Sequence, residues 1–182
     1  MKQLIREYTL RIVPPNPIYE HVLGLKGKFR DIFGKYQYSS SKPHVTMALF
    51  RMETKYEERL VNIVTKLSKE KYFTVDILGI NAFYNAHVLL LEIDNSKDIS
   101  EFFHKTSALF NEELNDVVPK IFISKSPHMT ISKVKNKAML DDCLELFKKQ
   151  PYSNSFIVKE LILTSRRLNQ TWDWELSIPL SE

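Results

Sequence analysis

Two periods of apolar residues alternate along the chain, and the places where one gives way to the other predict the elements. Tyr8 to Val13 is rich in β-branched and aromatic residues and ends at Pro14-Pro15, as a strand does. Ile18, Val22, Leu23, Leu25, Phe29 and Phe33 roughly follow helical spacing within Pro17 to Phe33, and Gly34 supplies the stop. Tyr36 to Lys42 is polar and reads as a loop. His44 to Phe50 alternates as a strand, and Leu60, Ile63, Val64 and Leu67 form one stripe of a helix over Tyr56 to Leu67. Phe73 to Ile80 and His87 to Ile93 read as strands around a loop at Asn81 to Asn85. Helices are expected over Ile99 to Leu114 and Ala138 to Lys149, with a strand at His128 to Val134 between them. Phe156 to Thr164 and Trp172 to Ile178 close the chain as a strand pair around a polar loop at Ser165 to Gln170.

This order repeats. Strand, helix, strand, loop, strand begins at His44 and begins again at His128, 84 residues later. The pattern predicts an internal duplication and an α+β fold. Two pseudo-twofold-related lobes of mainly antiparallel sheet are expected, with helices on the outer faces and a groove between them. The chain reads as one bilobal domain over 1–182. Its repeat lobes lie at approximately 44–94 and 128–180, and 8–34 and 97–116 complete them.

Each repeat opens with nearly the same residues. Lys42-Pro43-His44-Val45-Thr46-Met47 is matched by Ser126-Pro127-His128-Met129-Thr130-Ile131. Pro-His-x-Thr-apolar is expected roughly 0.005 times by chance in this composition, so two copies at matching places are not coincidence. Strand residues two apart share a face, so His44 and Thr46 point one way, as do His128 and Thr130. Across a groove, a neutral and a protonated imidazole form a base and an acid, with an ordinary pKa near 6.5. Threonine hydroxyls beside them are placed to donate to phosphate oxygens. The arrangement suits in-line displacement at phosphorus and requires no metal or cofactor. Two histidines alone are too few for a usable metal site, and no further ligand cluster accompanies them. Which histidine is base and which is acid stays open at this level.

The paired motifs, their separation and the repeated strand-helix-strand-strand order resemble the 2H (two-histidine) phosphoesterase superfamily. Within it, the chain is similar to bacterial 2'-5' RNA ligase-like proteins and 2',3'-cyclic nucleotide phosphodiesterases. The resemblance runs from the Tyr8 strand to the Trp172 strand. It implies hydrolysis of 2',3'-cyclic phosphates to 2'-phosphates, or joining and cleavage of 2'-5' linkages in RNA. It also implies His44 and His128 as the catalytic pair, Thr46 and Thr130 as phosphate contacts, and Phe83 as an aromatic beside the substrate. Many relatives carry Arg five residues after the second histidine, where this chain has Lys133. Strict alternation puts Lys133 on the face opposite His128 unless a bulge re-aims it. Two other outcomes are weighed. One is a binding module for RNA ends or nucleotides without turnover; the other is an enzyme on a different 2'-5' or cyclic phosphodiester.

The remaining candidates have plainer readings beside the functional ones. Phe83 and Tyr84 either stack on a base or cover the sheet edge. Arg166 either meets a phosphate or is a solvated loop charge. Trp172 and Trp174 read as core or edge packing, and Cys143 as a small helix-packing residue. Composition narrows the class further. Hydrophobic residues make up 43% and charged residues 26%, which excludes disorder over the whole length. The charge of +4 fits an anionic substrate without making a polybasic binder. Four glycines, with no glycine-rich phosphate motif, argue against a dinucleotide fold or P-loop. One cysteine, no secretory pattern and no long apolar run give a cytoplasmic expectation, with no membrane partner. The expected partner is an RNA end or cyclic nucleotide as substrate, and the expected state is a monomer.

Overall fold

The computed structural model describes residues 4–182. Its strands are β1 (Ile5–Ile12), β2 (Val45–Glu53), β3 (Phe73–Phe83), β4 (Val88–Ile93), β5 (Ile121–Ile123), β6 (His128–Lys133), β7 (Asn154–Val158), β8 (Glu160–Arg167) and β9 (Trp174–Pro179). Its helices are α1 (Ile18–Phe33), α2 (Glu57–Thr65), α3 (Lys97–Leu114) and α4 (Lys137–Lys148). The fold is α+β, as the periodicity predicts. Helix ends follow local chemistry. Asn136 caps α4 by accepting a hydrogen bond from the Met139 N–H at 3.0 Å. Gly34 closes α1 at φ +89°, a conformation that favours a residue without Cβ.

The strands form one curled sheet in the order β7-β3-β4-β6-β2-β1-β8-β9, with β5 added to β2, and every ladder is antiparallel. The helices lie on one face. Phe110 of α3 meets Phe50 edge-on at 5.7 Å, Phe102 stacks on Phe73 at 4.6 Å, and Phe29 of α1 meets Phe147 of α4 at 6.4 Å. Alternation puts Val45, Met47, Met129 and Ile131 into this core, all but inaccessible to water.

The sheet order revises one expectation. The repeat lobes are not continuous segments of chain. In one half of the sheet, β3 and β4 of the first repeat lie between β6 and β7 of the second; in the other half, β2 of the first joins β1, β8 and β9. Each half therefore mixes strands of both repeats. The cause lies in the register: β6 pairs along β4 for most of its length, while β2 pairs along β1. Boundaries also move. β3 continues through Phe83, Tyr84–Ala86 form a short 3-10 turn, and His87 sits at φ +52°, so the expected loop is shorter and β4 begins at Val88. β8 runs on to Arg167 into the expected polar loop, and β9 starts at Trp174. The short β5 has no counterpart in the sequence reading, because three half-exposed residues carry too little pattern.

Candidate active site

The two halves of the sheet meet where the two motifs meet. β2 and β6 touch at a single pair, Val45 opposite Met129. Both residues are fully buried beneath the sheet. Their neighbours must then project to the other face, and the antiparallel sense sets His44 toward Thr130 and Thr46 toward His128. A local twofold thus passes through the Val45–Met129 pair. It extends to the imidazoles: His44 Nδ1 donates to the Lys42 carbonyl at 2.8 Å, and His128 Nδ1 donates to the Ser126 carbonyl at 2.8 Å. Because a carbonyl can only accept, each Nδ1 holds the proton of the neutral ring. Nε2 is left free to take or give a proton.

A bulge follows each motif. Between β1 and β2 the register jumps so that Leu10 faces Ala48 but Arg11 faces Thr46. Between β4 and β6, Leu90 faces Thr130 but Leu89 faces Ser132. The extra residues, Met47 and Ile131, shift the alternation by one. Lys133 therefore pairs with Val88, on the same face as the Leu90–Thr130 pair, and shares the face of His128. The strict-alternation reading of Lys133 is corrected by that bulge.

The two rings are alike in geometry but not in electrostatics. Burial pushes the His44 pKa down to about 4, and the positive charges of Arg11 and Lys26 push the same way against its carbonyl hydrogen bond. Burial also lowers His128, opposed by its hydrogen bond to the Ser126 carbonyl. Lys26 is itself buried under this region. Its ammonium donates to the carbonyls of Tyr38 (3.0 Å) and Ile131 (3.3 Å) and to Ser41 Oγ (3.2 Å), tying α1 to the loop before β2 and to β6.

A profile of the 2'-5' RNA ligase superfamily matches residues 14–170, a span that contains both motifs. The chain belongs to the 2'-5' RNA ligase superfamily. Solved structures share its fold. It superposes on E. coli LigT complexed with 3'-AMP at a TM-score of 0.67 and 15% identity, over 96% of this chain and 98% of that one. TT0787 of Thermus thermophilus gives a TM-score of 0.70 and 13% identity, over 97% and 100%. Usb1 of Kluyveromyces marxianus gives 0.54 and 12%, over 96% and 98%. No curated protein sequence matches the chain.

In this superfamily member the other sequence candidates separate. Phe83 reaches His128: its ring stands edge-on to the imidazole, 4.8 Å between centroids. Tyr84 does not. It turns toward Asp141 of α4 and lines a shallow cavity with Asn85, His87 and Lys137. Arg166 points back into the fold, where its Nε donates to Glu7 Oε1 at 2.9 Å and its guanidinium lies 4.4 Å from the Trp172 ring centroid. Its charge is neutralised by Glu7 and it supports an aromatic. Trp172 is 36% exposed, so it is neither core nor covered edge. Among the described residues, no group of three or more His, Cys, Asp or Glu is positioned to hold a metal, and no helix is long and apolar enough to cross a membrane.

Arg11 is the residue the sequence reading passed over. It lies within the expected Tyr8–Val13 strand and faces Thr46, on the side of the sheet that carries the two histidines. The signal was present: Thr9 and Arg11 alternate with Tyr8, Leu10 and Ile12, which marks a second, polar face.

Proposed function

We propose that this protein is a metal-independent phosphodiesterase acting on 2',3'-cyclic phosphate ends of RNA or nucleotides, yielding 2'-phosphates, with joining or cleavage of 2'-5' linkages as the related reaction. The observation that carries the reading is the local twofold: two histidines with matched Nδ1 hydrogen bonds and free Nε2 atoms, each facing the other motif's threonine.

In the hydrolytic direction His44 is the base. Its lowered pKa keeps it neutral, and its Nε2 takes a proton from water as the oxygen attacks phosphorus. His128, protonated on Nε2, gives its proton to the departing 3'-oxygen. The P–O3' bond breaks, the P–O2' bond stays, and the product is a 2'-phosphate. Thr46 and Thr130 donate to the non-bridging oxygens as charge builds there. The roles exchange in the reverse direction. The nucleotides named with the E. coli LigT structures, 3'-AMP, ATP and NADP+, agree with a nucleotide substrate class.

Steady-state kinetics on a 2',3'-cyclic mononucleotide test the reading. His44→Ala and His128→Ala are each expected to lower kcat by about 10²–10⁴-fold, the range of one positioned acid or base, with unchanged circular dichroism. Near-normal turnover in both variants would remove the proposal.

A further inference from the structure

Arg11 is 4% exposed, and its Nε is buried without a hydrogen-bond partner. Four of the other six arginines are ion-paired, Arg6 with Asp173, Arg59 with Asp116, and Arg51 and Arg166 with Glu7, and the two that are not, Arg30 and Arg167, are less buried than Arg11. Glu175 lies near enough to act on the charge of Arg11 but forms no ion pair with it. Lys26 is a buried cation too, but carbonyls and a hydroxyl accept its hydrogen bonds. A buried cation with neither a counter-ion nor an acceptor at its buried nitrogen is strongly disfavoured, so a fold that keeps one has a use for an anion there. The surroundings suit that use. Arg11 and His44 line one cavity of about 460 Å³ with Ser41, Lys42, Trp172 and Glu175. Arg11 and Lys42 also line a second, of about 800 Å³, with Tyr19, Ser155 and Lys159. Arg11 therefore stands where the two cavities adjoin, beside the catalytic histidine. Its guanidinium lies 5.6 Å from the ring centroid of Trp172, and that of Arg166 lies 4.4 Å from the same centroid.

We propose that Arg11 and Trp172 form a subsite on the His44 side of the groove. Arg11 binds a second phosphate, the one on the 5'-oxygen of the reacting ribose, and Trp172 stacks on the base that lies beyond it. The inference rests on the phosphodiesterase reading for which ribose is meant, and it extends that reading to substrate class. The site favours nucleotides that carry a phosphate upstream of the reacting one. That phosphate is either a bridge to another nucleoside or a free 5'-phosphate. Arginine fits the task because its planar fork grips phosphate and its face stacks on indole.

Binding titrations test this without requiring turnover. The probes are adenosine 2'-monophosphate, adenosine 2',5'-bisphosphate, and the dinucleotide ApA ending in a 2'-phosphate. The full-length protein is expected to bind the last two about tenfold or more tighter than the first, the worth of a charge-assisted contact. Arg11→Gln is expected to erase that preference, and Trp172→Ala to weaken the dinucleotide alone. Arg11→Gln should also hold or raise the melting temperature, since it removes an unpaired buried charge; a role confined to folding would lower it. A preference for the bisphosphate but not the dinucleotide would assign the subsite to a free 5'-phosphate. Equal affinity for all three probes in the wild type, or a preference that survives Arg11→Gln, would overturn the proposal. Should the binding preference hold while no cyclic phosphate is hydrolysed, the subsite stands and the catalytic reading falls.

Discussion

At the scale of single residues, the site works by desolvation more than by charge pairing. Neither histidine has a carboxylate partner among the described residues; each gives its Nδ1 proton to a backbone carbonyl, which orients the ring and raises its basicity too little to offset burial. Both pKa values therefore fall, that of His44 to about 4. The profile of kcat/KM against pH reports the free enzyme. It should rise through about pH 4 as His44 loses its proton, and fall below pH 6.5 as His128 loses its own. An optimum on the acid side of neutrality is thus expected, and a rate still climbing above pH 7 would contradict the assignment of roles. Stability follows the same groups. The unfolded chain binds more protons on these histidines than the folded one between about pH 4 and 6.5, so the fold should weaken as pH falls through that window. The weakening should be smaller in a His44→Gln variant, measured by urea unfolding at pH 7 and pH 4.5. Phe83 lies against His128, and Phe83→Ala should readmit water and move the alkaline limb of the rate profile upward.

At the scale of elements, the paired bulges decide which residues reach the groove. The extra residue after the second His-x-Thr unit moves Lys133 onto the face of His128 and Thr130, although counting by twos places it on the other. Lys133→Ala should lower kcat/KM for an anionic substrate about three- to tenfold, and the loss should shrink in high salt because the side chain is exposed. The helices beneath are structural. Phe29, inaccessible and in contact with Phe147, should cost about 3–5 kcal/mol when replaced by Ala, read from chemical denaturation. The elements that periodicity predicts well are those with a full apolar stripe, such as α1 and α3, and the motif strands, whose alternation is strict over the first four residues. Periodicity fails where the pattern is interrupted or brief. Two bulges, the extension of β3 past Ile80, and β5 all depend on hydrogen bonds to partners far away in the chain.

At the scale of the whole molecule, the duplication visible in the sequence becomes a twofold site by exchange of strands between repeats. Neither repeat could bury its own sheet: β6 relies on β4 of the first repeat, and β2 on β1 and through it on β8 of the second. The two histidines were legible because the same words occur twice at the same place. Arg11 was not, because its importance lies in the lack of a partner, and partners are a property of the folded state. Arg166 shows the reverse, a loop charge that the fold returns to Glu7. The central claim is that this twofold pair of His-Thr units opens a cyclic phosphate without a metal. The most direct test is phosphorus NMR on an RNA dinucleotide ending in a 2',3'-cyclic phosphate, incubated with the protein and excess chelator. The account predicts a 2'-phosphate signal that disappears in His44→Ala and in His128→Ala. A 3'-phosphate product, or activity only when the chelator is left out, would contradict it.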